Sequence, residues 1–133
     1  MLVIARDEKS ELLALLRRAK SSHIRWRAYA QGLVAGVSVK EDRLPVKHTD
    51  CAFGKWYYGE GQRRFGHLEI FHDLEGPHEL LHSVYRQIHD FVVAGKTEPG
   101  REKLEELIGV SRTLIEQMEL LEQEVEAGEI GES

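Results

Sequence analysis

His78 and His82 lie four residues apart in LEGPHELLH, a stretch that reads as helix. On a helix that spacing sends both side chains out from one face. Two imidazoles so placed can hold a metal ion at ~2.0–2.1 Å from each ring nitrogen without bending the backbone. Taken alone, the pair has a second reading, two surface histidines that share a face. His23 falls on an apolar helix stripe. There it is either a core histidine donating to a backbone carbonyl or a buried imidazole in need of a partner. Cys51 opens the block CAFGKWYYG. It reads either as a small buried apolar residue or as a ligand, because a helix N-terminus lowers a thiol pKa and favours the thiolate that metals bind. Together, three His and one Cys would fill a four-coordinate shell and leave no open position.

These positions need elements to carry them. Leu12, Leu16, Ala19, His23, Trp26, Ala30 and Leu33 alternate spacings of four and three. They predict one long helix over roughly 7–35 with a single buried face, ending near Gly36. The polar stretch 37–49, with Pro45, reads as loop. Asp50 is the expected cap of a short helix over 51–58, which Gly59 and Gly61 end. A second short helix is expected over 63–74. Pro77 suits the first turn of a helix over 77–94, which stops at Gly95. A last helix over 99–127 carries a heptad-like seam of Leu104, Leu107, Ile108, Ser111, Leu114, Ile115, Met118, Leu121 and Val125. That seam fits a partner helix in another chain or one in the same bundle. The tail GEIGES reads as frayed. The fold class is all-α, an antiparallel bundle of about four to five helices around a buried zinc site.

The chain has 133 residues and reads as one zinc-binding helical domain, 1–133, with a core of about 7–127. Its net charge of −5 lacks the basic face that nucleic-acid binding requires. With one cysteine no internal disulfide can form. The N-terminal apolar run is too short for a signal peptide. No stretch approaches the ~18 apolar residues of a membrane span. A reduced, cytoplasmic setting is the expectation. Seven His against a single Cys is itself a reason to look for a metal.

The stretches HIRW, CAFGKWYYG and LEGPHELLH, in that order, resemble the three motifs of the chemoreceptor zinc-binding family. Those motifs are a His followed three residues later by Trp, a Cys-x-(Leu/Phe)-Gly-x-Trp block, and a His-x-x-x-His helix. The similarity runs from about His23 to Leu121. The resemblance implies that His23, Cys51, His78 and His82 are the zinc ligands, in a helical bundle that is often a homodimer. It implies a regulatory role beside chemoreceptor or diguanylate cyclase signalling domains. It also implies a response to zinc, or to oxidants such as hypochlorous acid through Cys51. The chain has no room for an attached output domain, so a stand-alone form acting on a partner in trans is expected. No catalysis is expected.

Two other metal chemistries compete. His78-Glu79-Leu80-Leu81-His82 spells H-E-x-x-H, the zinc-protease motif with its glutamate base. The further Gly and His of a metzincin are missing, since those positions hold Tyr85 and Ile88. A di-iron bundle needs paired Glu-x-x-His motifs, and Glu75 with His78 supplies only one. Around the site, Trp26 and Trp56 are expected to exclude water. Asp50 is read as a cap ahead of a partner to a ligating imidazole. His48 is a competing ligand that the family pattern does not use. His67, His72 and His89 are expected at the surface or its boundary.

Overall fold

The computed structural model describes residues 2–37 and 44–131. Its first helix, α1 (Arg6–Val34), buries Leu12, Leu16, Ala19, His23, Ala30 and Leu33 along one face. Asp7 and Glu8 occupy its first turn, where negative charge favours the helix N-terminus. The helix closes at Gly36, whose φ of 89° lies in the left-handed region. There the Val37 N–H reaches the Gly32 carbonyl at 2.9 Å and the Gly36 N–H reaches Leu33 at 3.1 Å, a Schellman closure. Of the expected loop 37–49, residues 38–43 lie outside the described residues, and 44–49 carry no helix or strand.

Next comes α2 (Ala52–Trp56), then one turn of π-helix (Tyr57–Gly61), which leads directly into α3 (Gln62–Phe65). Gly59 and Gly61 therefore do not end the helix as expected. Gly61 serves packing instead, since a Cβ there would lie 3.0–3.1 Å from the Trp56 ring. The break falls later, at Gly66 to Leu68, and divides the expected helix over 63–74 into α3 and the single turn α4 (Glu69–His72).

The second long helix follows directly. α5 (Glu75–Val93) starts two residues before Pro77, which sits in the first turn where a missing N–H breaks no bond. It turns tightly into α6 (Thr97–Ala127) through a second Schellman closure. Gly95 has φ 76°, and the Lys96 N–H reaches the Phe91 carbonyl at 2.8 Å.

α5 and α6 are thus antiparallel. α1 also runs antiparallel to α6, because Lys20 pairs with Glu122 at 2.5 Å while Arg27 donates to Ser111 Oγ at 2.8 Å. It follows that α1 and α5 run parallel, and the chain from 35 to 74 is the crossover between them. Leu16, Leu74, Leu81, Ile88, Leu107, Leu114, Met118 and Leu121 seal the core. The α6 seam packs within the chain: Leu107, Ser111, Leu114, Met118, Leu121 and Val125 are fully buried there.

Two short strands were not expected. β1 (Val3–Ala5) and β2 (Glu129–Gly131) pair in parallel, Ile4 opposite Ile130. The tail is held as far as Gly131. Lys9 Nζ donates to the Glu126 carbonyl at 2.7 Å and the Gly128 carbonyl at 3.2 Å, which satisfies the carboxyl end of α6.

Candidate metal centre

The parallel run of α1 and α5 brings His23 beside His78 and His82, and the crossover sets Cys51 against them. One ligand atom from each of His23, Cys51, His78 and His82 falls within 4.8 Å of every other. The ring centroids of the three histidines are 4.8 to 5.7 Å apart, each pair edge-to-face. Cys51 Sγ lies 3.3 Å from His78 Nε2. The three imidazoles are buried and Cys51 is half-buried.

The second nitrogen of two rings is spoken for. His23 Nδ1 donates to the Ala19 carbonyl at 2.7 Å, one turn back along α1. His82 Nδ1 donates to the Val46 carbonyl at 3.0 Å. With Nδ1 protonated, each Nε2 presents a lone pair. Both Nε2 atoms are buried with no hydrogen-bond partner. An unpaired buried polar atom is costly, and a metal ion would satisfy both. Backbone carbonyls that fix the tautomer of a ligating histidine are a recurrent support for metal sites. The donor set of three imidazoles and one thiol suits zinc.

Cys51 caps α2 itself. It is the N-cap residue, and its Sγ accepts the Gly54 N–H at 3.3 Å. Asp50, the expected cap, is exposed, and the ring acceptors at His23 and His82 are the Ala19 and Val46 carbonyls rather than its carboxylate. The thiol proton can point to the His48 carbonyl, 3.5 Å from Sγ. Gly54 is required because a Cβ there would overlap that same carbonyl.

Burial governs the electrostatics. It pushes the Cys51 thiol above its ordinary value, outweighing the N–H groups of the helix start, so the expected lowering does not occur. It holds His78 down to about 2, helped by repulsion from His23, His82 and His48. It holds His82 down to about 4, against the raising effect of the Val46 carbonyl. His23 is lowered by burial despite its bond to Ala19. Without metal, the centre is a cluster of neutral imidazoles and a thiol.

The aromatic surround differs from expectation in one respect. Trp26 packs on His82 and Tyr85, with centroids 6.1 and 4.6 Å away. Trp56 instead lies against Phe53, Phe65 and Phe71. The ring that touches the cluster from that side is Phe53, edge-on to His23 at 5.8 Å and to His78 at 5.0 Å. Its signal was in the sequence, as the apolar residue of the Cys-x-Phe-Gly block. The Val46 carbonyl left no such signal, because a backbone acceptor is independent of residue type.

Neither carboxylate of the competing readings joins the cluster. Glu79 is exposed. Glu75 is exposed too and accepts the Tyr58 hydroxyl at 2.9 Å. His67 and His72 are exposed and His89 is half-buried. No helix among the described residues is long and apolar enough to cross a membrane.

Comparison with known proteins agrees with this chemistry. Neither a curated protein nor a solved structure matches the chain. The sequence pattern of the chemoreceptor zinc-binding domain family matches residues 23–89, half of the chain. That match begins on His23 and ends beyond His82, so it spans the whole cluster, and the chain belongs to this zinc-binding family.

Proposed function

We propose that His23, Cys51, His78 and His82 hold one zinc ion, and that the chain is a non-catalytic regulatory unit, one domain with a core of about 7–127. The observation that carries this reading is the pair of buried, unpartnered Nε2 atoms on His23 and His82 within the four-donor cluster. Zinc supplies no redox chemistry of its own and, once bound, ties its donors together. Those donors come from α1, the start of α2 and α5. Loading therefore couples to how α1 and the crossover pack on α5, since ligands drawn from separate elements must converge.

A signalling partner reads that packing: a chemoreceptor or a diguanylate cyclase, in the cytoplasm, with two copies of this chain paired. The family supports these choices. The oxidant response belongs to Cys51, the one thiol. Cys51 lines a cavity of about 290 Å³ together with Arg18, Ser22 and Arg25. The thiolate attacks hypochlorous acid, forms sulfenic acid and expels chloride, and the oxidised sulfur is a weaker ligand. Backbone hydrogen exchange with and without zinc tests the coupling. We expect zinc to slow exchange around His23, 46–54 and His78 selectively; identical exchange in both forms would sink the reading.

A further inference from the structure

A fifth donor stands beside the cluster. The His48 ring centroid is 5.8 Å from that of His78, at 79° between planes. Within the cluster, His23 and His82 are 5.7 Å apart at the same 79°. His48 thus stands about as far from His78 as the widest clustered pair stands apart, just outside the four residues whose donor atoms lie within 4.8 Å of one another. Its ring is half-buried and is not hydrogen-bonded by any described residue. An edge contact with the Tyr58 ring at 5.8 Å is its other neighbour of note.

The backbone around it is already bound to the centre. The Val46 carbonyl orients His82, the His48 carbonyl faces Cys51 Sγ, and the Asp50 N–H closes a turn onto the Lys47 carbonyl at 2.9 Å. His48 and Cys51 therefore belong to one short, internally hydrogen-bonded segment. A cavity of about 220 Å³ beside the ring is lined by His48, Thr49, Glu79 and His82, so His48 and one of the clustered histidines border the same open space.

We propose that His48 is a reserve ligand: when the Cys51 sulfur leaves the metal, the His48 imidazole takes its position and completes a four-histidine shell. Imidazole is a good zinc ligand and reacts with oxidants more slowly than a thiolate does. Cys51 can then leave and return without loss of the ion, so the state of the sulfur is reported by the 46–51 segment while the metal stays in place.

This rests on the four-ligand reading, and one series of variants separates the two. Zinc affinity by chelator competition and cobalt absorption are measured on wild type, His48→Ala, Cys51→Ser and the double variant. Serine is chosen because its hydroxyl can keep the α2 cap; circular dichroism confirms that each variant folds. We expect His48→Ala to stay within about twofold of wild type, and removal of His48 from Cys51→Ser to weaken binding by a further tenfold or so. Cobalt in Cys51→Ser should lose its sulfur charge-transfer band and keep four-coordinate visible absorption, which the double variant loses. Equal affinity in Cys51→Ser and the double variant overturns the reserve role and leaves the four ligands standing. A loss in His48→Ala alone that matches Cys51→Ser also overturns the reserve role, because His48 would then hold the ion in wild type. A wild type that holds no zinc overturns the four-ligand reading itself.

Discussion

At the scale of single residues, the centre is a set of groups kept neutral by burial until a metal arrives. In the folded chain His78 is held at about 2 and His82 at about 4, against an ordinary histidine value near 6.5. Depressed folded values mean that the neutral forms contribute stability in full above about pH 6.5. That contribution is lost as pH falls from there through about 4 and on toward 2, because the unfolded chain takes up protons that the folded chain refuses. The metal-free protein should therefore lose denaturant stability steadily between about pH 7 and pH 4. A His78→Gln variant should lose less over the same range; an equal slope in both would contradict this account. The residues of the cluster were legible in the sequence for different reasons. The His78–His82 pair announced itself by spacing, His23 by its place on an apolar stripe, and Cys51 only through the Gly/Trp block around it. The thiol was misjudged because a helix start is a local signal, whereas desolvation depends on what the rest of the fold lays over it.

At the scale of elements, long helices were easier to read than short ones. α1, α5 and α6 follow from apolar periodicity and from Gly36 and Gly95, which stop two of them. The segment 51–72 was harder. Gly59 and Gly61 look like stops in sequence, yet Gly61 is small so that the Trp56 ring can lie over it. The strand pair at the chain ends involves three residues on each side, too few for any alternation to show. The α6 seam was legible as apolar but not as to its partner. Because it packs within one chain, Leu114→Ala should cost about 2–5 kcal/mol in unfolding free energy. Its effect should be independent of protein concentration. Equilibrium unfolding at two concentrations checks this; a small cost, or a midpoint that shifts with concentration more than in wild type, would point instead to a seam between chains.

At the scale of the whole molecule, the arrangement of helices explains why the centre can act as a link. α1 and α5 run parallel, so the chain between them must cross over, and that crossover carries Cys51, Val46 and His48 to the same point. Three separate parts of the sequence then meet at one set of donor atoms, and whatever alters the donors alters the packing of all three. The central claim is that His23, Cys51, His78 and His82 hold one zinc ion. Its most direct test is zinc content and affinity of the purified chain beside His23→Ala and His82→Ala variants, by elemental analysis and chelator competition. The account predicts about one zinc per wild-type chain and affinity weaker by roughly 100-fold or more in each variant, beyond the loss usual for a supporting residue. Wild-type chain without zinc, or full zinc content at unchanged affinity in either variant, would contradict it.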